Sequence, residues 1–397
     1  MKKALCIAVC ILLMFLPHPA IAEETGAVYP YDLTVASYWS LPAAAEFIPE
    51  SDAKALLLMD YSTGKVLFKQ NELEHLPIAS VTKVISTLLI VEAIDDGRIS
   101  LDDEVTASEH AASMGGSQIF LEPGERMPVR DLLKALVVAS ANDATVALGE
   151  HLCGSEASFV AAMNERAREL GCENSNFVNT NGLPAEGHYS CANDIAIITR
   201  ELMKHPLIFE YTGIWMDTIR NGSFGLANTN KLIRFYNGAT GMKTGFTQEA
   251  GFCLSGTAKR GDTQMIAVVL GCSTSDKRFR AAKDMLDYAF ANYETVTLQL
   301  PDPEPLAVTR GKTDLAELKV TPITVLCEKN AKGGIESKIE LPDSVSAPVK
   351  QGDVLGKAVF SRGGEIIAET EIVAAGDVGE ITYGDMLKKL LAEIFRV

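Results

Sequence analysis

The pattern of apolar and polar positions changes between two periods along this chain, one typical of strands and one typical of helices. The segment ALLLMD at 55–60 is followed by a turn at 62–64 and a second strand-like run at 65–68, which predicts an antiparallel hairpin. Two further strand-like runs, 251–258 and 264–270, are joined by the turn KRGD. The pattern therefore predicts strands of one sheet near both ends of the first 300 residues.

Helical patterns fill most of the sequence between these strands. From Ser80 to Ile94 aliphatic residues occur on nearly every face and end at Asp-Asp-Gly, which predicts a buried helix stopped by glycine. Other helical patterns cover 129–152, 156–170, 193–204 and 278–293. The order of strands, helices and strands predicts an α/β (α+β) fold in which an antiparallel sheet is flanked by helices and carries a helical insertion.

A change of composition near residue 300 predicts a second domain. The segment PDPEP at 301–305 is typical of a stiff linker. Residues 306–376 alternate short β-like runs with Gly and Asp turns, as in a small all-β domain. A first domain at 23–300, a linker at 301–305 and a β-domain at 306–376 are expected.

The last residues, 380–397, have the pattern of an amphipathic helix. Six apolar residues share one helical face and charged residues share the other. Two interpretations remain open: the apolar face packs on the protein itself, or the helix lies on a membrane surface as a peripheral anchor.

The first residues have the layout of a cleavable signal peptide. Lys2 and Lys3 precede an apolar run at 4–16, and the triplet Ala20-Ile21-Ala22 follows. The run is shorter than the ~20 residues that cross a bilayer, so cleavage after Ala22 is favoured over an uncleaved anchor. Residues 1–22 are therefore predicted to be a signal peptide, and the mature protein to be exported.

Charge and cysteine content narrow the function classes further. The formal net charge is −16, and removal of residues 1–22 takes away two lysines and no acidic residue, which gives −18. A nucleic-acid partner is disfavoured because phosphate binding needs a basic patch. The spacing of the cysteines and of the histidines fits no metal motif, and Cys253 and Cys272 lie in strand-like runs where buried cysteine is common.

The sequence Ser80-Val81-Thr82-Lys83 at the start of the buried helix is the first candidate for chemistry. A spacing of three residues brings both side chains to one helical face. A serine hydroxyl needs a base, and burial near the positive end of a helix favours the neutral amine of lysine. Ser80 is the candidate nucleophile and Lys83 the candidate base, although the same spacing recurs at Ser51…Lys54 and Ser62…Lys65.

Two further segments supply polar residues. Ser140 and Asn142 interrupt an aliphatic helical pattern, either as a proton relay and an amide-binding group or as an ordinary turn with a capping serine. Lys243 and Thr244 lie in the segment TGMKTGFT, predicted to be an edge strand beside a cleft and suited to hold a peptide carboxylate. A phosphate-binding loop is excluded here because Met242 replaces the glycine that precedes its lysine.

Together these segments resemble the motifs S-x-x-K, S-x-N and K-T-G of penicillin-binding proteins and serine β-lactamases, in the same order. The segments at 77–80, 140–144, 187–190 and 250–253 resemble the low-molecular-mass D-alanyl-D-alanine carboxypeptidases in particular, over residues 45–300. The small β-domain and terminal helix also match the layout of that subfamily.

This resemblance implies an enzyme that removes the terminal D-alanine from peptidoglycan stem peptides and is acylated by β-lactams. It implies that Ser80 attacks the carbonyl, that Lys83 accepts its proton, and that Ser140 and Lys243 assist proton transfer to the leaving amine. Asn142, Thr244, Gly245 and Phe246 are expected to contact substrate, with the N–H groups of Ser80 and Phe246 forming an oxyanion hole.

No metal or cofactor is expected, and His188 is expected to be structural. A serine β-lactamase is the less favoured alternative, because no convincing Glu-x-x-x-Asn segment lies between residues 171 and 192. A silent peptidoglycan-binding protein is also less favoured, because every motif side chain is intact.

Overall fold

A computed structural model describes Phe47 and residues 49–329 and 334–394, and all structural statements below concern these residues. The predicted signal peptide at 1–22 lies outside them.

A five-stranded antiparallel sheet forms the centre of the protein, in the order β2-β1-β9-β8-β7. The strands are β1 (Ala55–Asp60), β2 (Val66–Gln70), β7 (Ala239–Thr247), β8 (Gly251–Arg260) and β9 (Thr263–Cys272). The predicted hairpin is confirmed as β1 and β2, and β1 pairs with β9, so the two ends of the first 300 residues meet in one sheet.

Both faces of this sheet are covered. In β1, Leu57 and Met59 belong to the core packed against the helical insertion, whereas Leu56 and Leu58 belong to a second core on the opposite face. Side chains alternate across a strand, so this division places β1 between two layers. Cys253 and Cys272 are fully buried, as predicted.

The helical insertion lies between β2 and β7. Its helices are α1 (Lys83–Asp95), α2 (Glu109–Ala112), α3 (Val129–Lys134), α4 (Asn142–Cys153), α5 (Glu156–Glu169), α6 (Ala192–Leu202), α7 (Leu207–Thr212) and α8 (Leu232–Phe235). Two small hairpins complete it: β3 (Glu104–Thr106) with β4 (Arg126–Pro128), and β5 (Met216–Ile219) with β6 (Phe224–Ala227). The predicted antiparallel sheet with a helical insertion is confirmed.

Helix α1 is buried on nearly every face, as its aliphatic sequence predicts. Its start differs from the prediction, because residues Ala79–Thr82 form one turn of 3-10 helix before α1 begins at Lys83. The long helical pattern at 129–152 is also interrupted: a π-turn at Ala135–Ala139 follows α3, and Ser140 has a left-handed backbone with φ of 62°. This break places the motif residue Ser140 between the π-turn and α4, and the motif residue Asn142 is the first residue of α4.

The second face of the sheet is covered by α9 (Ser275–Asn292). It leads into β10 (Tyr293–Leu298), which pairs with β14 (Ile323–Glu328) in antiparallel register. The predicted linker at 301–305 therefore lies between two paired strands, and the boundaries of the two domains stay a prediction.

The C-terminal region consists mostly of short strands around a small core. The remaining strands are β11 (Leu306–Thr309), β12 (Leu315–Ala316), β13 (Leu318–Val320), β15 (Ile335–Glu340), β16 (Ser344–Ser346), β17 (Val354–Arg362) and β18 (Glu365–Ala374). Strands β13, β18, β17 and β15 form one sheet, and Val308, Val349 and Val378 are among the buried residues beside it. An all-β region in this part of the chain agrees with the sequence pattern.

The terminal helix is α10 (Tyr383–Ile394), and the predicted residues 395–397 lie outside the described chain. Thr382 and Asp385 cap its first turn reciprocally, since each backbone N–H donates to the side chain of the other. Tyr383, Met386 and Leu387 are each more than half exposed. Among the described helices, none combines the length and the apolar sequence that crossing a membrane would require.

Candidate active site

Ser80 lies on the 3-10 turn that precedes α1. Ala79, Val81 and Thr82 are buried, so Ser80 is the residue of this turn whose side chain reaches the surface. Ala79 has a left-handed backbone, with φ of 48°, which is unusual for a residue with a Cβ. Such a backbone persists only where surrounding contacts hold it, so the turn presents Ser80 in a fixed position.

Lys83 is completely buried behind this serine. Its Nζ lies 3.2 Å from Ser80 Oγ, 2.6 Å from Asn142 Oδ1 and 2.8 Å from the Asn181 carbonyl oxygen. Burial and the Lys243 cation hold the pKa of Lys83 well below its ordinary value, and the Asp143 carboxylate opposes them.

A neutral lysine has two N–H donors and one lone pair. Asn142 and Asn181 each offer an oxygen for a donor, so the lone pair is left to accept the Ser80 hydroxyl proton. The site therefore holds a serine and an amine in the arrangement that general-base activation requires.

Asn142 is fixed by the loop that precedes β4. Its Nδ2 donates to the Gly115 carbonyl at 2.6 Å, and its backbone N–H donates to the Ser117 carbonyl at 2.7 Å. These contacts turn the amide oxygen toward Lys83. Ser140 lies two positions before Asn142 in the chain and is 4% exposed. Among the described residues, its hydroxyl makes no hydrogen bond to Lys83 or to Lys243.

Strand β7 forms the edge of the sheet and passes beside the Ser80 turn, which confirms the predicted edge strand. A Cβ on Gly245 would lie 2.7 Å from the Ile78 carbonyl oxygen and 3.0 Å from the Ser80 nitrogen. Only glycine allows this close approach. Ser80 and the K-T-G segment are therefore neighbours, although 163 positions separate Ser80 from Lys243.

The side chains of β7 differ in their exposure. Lys243 is 3% exposed and donates to the Thr244 carbonyl at 3.0 Å, and burial together with the Arg278 cation lowers its pKa to about 7. Thr244 Oγ1 lies 2.7 Å from Thr229 Oγ1. Phe246 is 54% exposed and stacks on Phe252.

Comparison with known proteins identifies the family to which this chain belongs. Residues 42–274 match the D-alanyl-D-alanine carboxypeptidase family, and residues 293–380 match the penicillin-binding protein 5 C-terminal domain. The chain belongs to the D-alanyl-D-alanine carboxypeptidase family. The family, the fold and the serine carboxypeptidase class predicted from the sequence are confirmed.

Relatives with carboxypeptidase or penicillin-binding protein names align with most of this chain and with most of their own length. D-alanyl-D-alanine carboxypeptidase DacF of Bacillus subtilis is 44% identical over 349 residues, which span 86% of this chain and 90% of the relative. DacC of Escherichia coli is 33% identical over 84% of this chain and 86% of its own. Penicillin-binding protein 5 of Haemophilus influenzae has a similar solved structure, with a TM-score of 0.75 and 30% identity over 84% of this chain and 99% of its own.

Arg278 is a residue beside the candidate site that the sequence pattern did not predict. It is 5% exposed, and its Nη1 donates to the carbonyls of Gly245 and Cys253 at 3.0 Å each. Burial lowers its own pKa to about 10. It lies in the first turn of α9, where its sequence signal is that of an ordinary helical arginine. Thr229, exposed beside Thr244, was also missed because a lone threonine carries no motif.

His188 lies beneath the Ser80 turn. Its Nδ1 accepts the Val178 backbone N–H at 3.0 Å, so the ring proton is on Nε2 and is donated to Thr82 Oγ1 at 2.8 Å. Burial lowers the pKa of His188 to about 4, which keeps the ring neutral at pH 7. These contacts agree with the structural role predicted for it.

One group of side chains in the described chain has the composition of a metal site, at the opposite end of α1. It consists of Glu92, Glu201 and His205. Arg166 Nη2 lies 2.7 Å from a Glu92 oxygen and 3.5 Å from a Glu201 oxygen. A metal ion would have to displace this guanidinium, and the group lies away from the Ser80 site.

Proposed function

We propose that this carboxypeptidase removes the terminal D-alanine from peptidoglycan stem pentapeptides through an acyl-enzyme on Ser80. The observation that carries the proposal is the completely buried Lys83, whose Nζ lies 3.2 Å from Ser80 Oγ. Burial favours the neutral amine, which is the form that can accept a proton.

In the acylation step, the Ser80 proton moves to Lys83 and Oγ bonds to the carbonyl carbon of the penultimate D-alanine. The backbone N–H groups of Ser80 and Phe246 stabilise the oxyanion, and the approach of β7 to the Ser80 nitrogen supports this pairing. The C–N bond then breaks, and the proton taken up by Lys83 passes to the leaving amine with the assistance of Ser140 and Lys243, which returns Lys83 to its neutral form.

Water then hydrolyses the acyl-enzyme. As the water adds to the ester carbonyl it gives a proton to neutral Lys83, the bond to Oγ breaks, and Lys83 returns that proton to Oγ, which frees the shortened peptide. Asn142 holds the substrate amide during this cycle, and its amide is already oriented by Gly115 and Ser117.

Thr244 and Lys243 hold the terminal carboxylate of the substrate. Two further groups support this: Thr229 lies 2.7 Å from Thr244, and the Arg278 guanidinium lies behind Gly245. A carboxylate gains from charge-assisted hydrogen bonds in a partly desolvated site.

Penicillins carry a carboxylate and a reactive carbonyl, so we expect them to acylate Ser80. A similar structure, penicillin-binding protein D2 of Listeria monocytogenes, has been solved in an ampicillin-bound form, with a TM-score of 0.55 and 33% identity over 60% of this chain and 97% of its own.

The proposal also includes the subcellular localisation of the enzyme. Family membership puts the enzyme at the peptidoglycan outside the cytoplasm. Peripheral attachment to the outer face of the cytoplasmic membrane through α10 is the finer proposal, supported by the exposed side chains of Tyr383, Met386 and Leu387.

Intact-mass measurement after incubation with penicillin, combined with an assay of D-alanine release from a peptide ending in D-Ala-D-Ala, tests this function. The expected result is one penicilloyl adduct per chain and catalytic release of D-alanine. Rapid turnover of penicillin without release of D-alanine would contradict the proposal and would indicate a β-lactamase.

A further inference from the structure

Arg220 lies in the turn between β5 and β6 and reaches across to the loop that precedes β4. Its Nε and Nη2 donate to the two carboxylate oxygens of Glu125 at 2.8 and 2.9 Å. Its Nη1 donates to the Ile119 carbonyl at 2.7 Å, and Nη2 also donates to the Phe120 carbonyl at 3.2 Å. One guanidinium therefore joins the hairpin to three residues of this loop.

The same loop holds the Asn142 segment from the other side. The carbonyls of Gly115 and Ser117 accept both N–H groups by which Asn142 is oriented. The Ile119 and Leu121 N–H groups donate to the buried Asp143 carboxylate at 3.0 and 3.1 Å. The peptide units of Ile119 and its neighbours thus connect Arg220 on one side with the start of α4 on the other.

Both partners of this contact have strained backbones. Arg220 has φ of 52° and Phe120 has φ of 58°, values that residues with a Cβ seldom adopt. Such conformations cost free energy and persist where surrounding contacts over-determine them. The guanidinium also stacks over the Phe224 ring, 5.3 Å from its centroid, and Phe224 contacts Phe120 edge-on. Arg220, Phe120 and Phe224 therefore hold one another in a single conformation.

We propose that Arg220 is a positioning residue for acylation. It fixes the loop at 115–121, and through it the Asn142 amide that contacts Lys83. The inference rests on the proposed function, because it assigns Asn142 and Lys83 to the acylation step. Loss of Arg220 frees the loop to move, and displacements of about 1 Å at a catalytic group can cost 10²-fold in rate.

Arginine suits this position better than lysine does. Its planar fork donates to the carboxylate and to two carbonyls at once, whereas an ammonium acts as a point charge. The side chains of Arg220 and Glu125 are 24% and 22% exposed, so solvent competes only partly for these contacts. Lysine at this position would keep the charge but only part of the contacts.

The test compares penicillin acylation by Arg220→Met, Arg220→Lys and a matched control, Arg166→Met. Arg166 is also 24% exposed and also pairs with a glutamate, at 2.7 Å. Stopped-flow or quenched labelling gives the acylation rate constant at saturating penicillin, the half-saturating concentration, and the fraction of protein labelled. A purely structural role would lower the fraction labelled and leave the rate constant of the folded protein unchanged.

We expect Arg220→Met to lower the acylation rate constant by about 10- to 100-fold. The half-saturating concentration should change by less than about 3-fold, because the residues proposed to grip the carboxylate lie on β7 and not on this loop. Arg220→Lys should fall between wild type and Arg220→Met, and Arg166→Met should acylate at the wild-type rate.

A wild-type rate constant in Arg220→Met, with or without a smaller labelled fraction, would overturn the inference. An equal loss in Arg166→Met would also overturn it. If Arg220→Met yields no folded protein, Arg220→Lys decides: a slower rate constant supports the inference and a wild-type one overturns it. Failure of the proposed function is seen separately, because the wild-type enzyme itself would then release no D-alanine, whatever the acylation rate constants of the Arg220 variants.

Discussion

The Nζ of Lys83 lies 3.2 Å from the Oγ of Ser80, and the lysine is completely buried while the serine is partly exposed. The two residues thus differ in the way that their proposed roles require. The nucleophile is accessible to substrate, and the base is kept from water, which favours its neutral form.

Replacing Lys83 with arginine should abolish activity. A guanidinium stays protonated at working pH and cannot act as a base, and general-base catalysis contributes about 10²–10⁴-fold to rates. We expect D-alanine release and penicillin labelling in Lys83→Arg to fall by at least about 10²-fold. Lys65→Arg is the control, because Ser62 and Lys65 have the same spacing outside the site. Substantial activity of Lys83→Arg at neutral pH would show that another group accepts the proton.

Stability should depend on pH through Lys243. Its pKa is about 7 in the folded protein against an ordinary value of 10.5, so between these values the unfolded chain binds the extra proton. Stability therefore rises with pH across that window, by up to about 1.4 kcal/mol per pH unit from one group. Lys83 contributes in the same direction.

Urea unfolding of wild type and Lys243→Met at pH 7.5 and 9 checks this dependence. The free energy of unfolding should rise more steeply with pH in wild type than in Lys243→Met. Parallel pH dependences would mean that Lys243 keeps an ordinary pKa in the folded protein.

Substituting Gly245 with alanine should damage both stability and catalysis. The added Cβ would lie 2.7 Å from the Ile78 carbonyl oxygen, so the strand or the Ser80 turn has to move. We expect a loss of about 1–3 kcal/mol in the free energy of unfolding. A displaced oxyanion donor should reduce the acylation rate by about 10²-fold. Gly225→Ala is the control, because a Cβ there has open space. Similar small effects in both variants would contradict the close approach of β7.

The sequence predicts this site well where neighbouring residues determine it. The spacing of Ser80 and Lys83 and the helical pattern after them are local features, and both side chains meet as expected. Likewise, short apolar runs bounded by turns predict the strands β1, β8 and β9 of the sheet. The 3-10 turn at 79–82 was not predicted, because its backbone is held by contacts with distant segments such as β7 and His188.

Residues that act through distant contacts leave no such signal. Arg278 approaches β7 from α9, and Arg220 approaches Ile119 across about 100 positions of sequence. Their roles follow from which loops the fold brings together, which one sequence does not reveal. The pairing of β10 with β14 across the predicted linker is another long-range feature of this kind.

Removing the terminal helix should reduce membrane binding if α10 is an anchor. We expect the mature chain to sediment with phospholipid vesicles and a chain truncated after Gly379 to stay in the supernatant. Leu387→Glu in the full chain should weaken binding as well, because Leu387 is 53% exposed on the helix. Equal sedimentation of the full-length and truncated proteins would refute anchoring. D-alanine release in solution should be unchanged by the truncation.

The most direct test of the account is covalent labelling of Ser80→Ala with a fluorescent penicillin, beside Ser51→Ala and Ser62→Ala. These two serines have a lysine at the same spacing but lie outside the site, so they control for the motif alone. We predict that Ser80→Ala takes up no label and releases no D-alanine, while both control variants retain both activities. Labelling of Ser80→Ala at the wild-type level would contradict the assignment of Ser80 as the nucleophile.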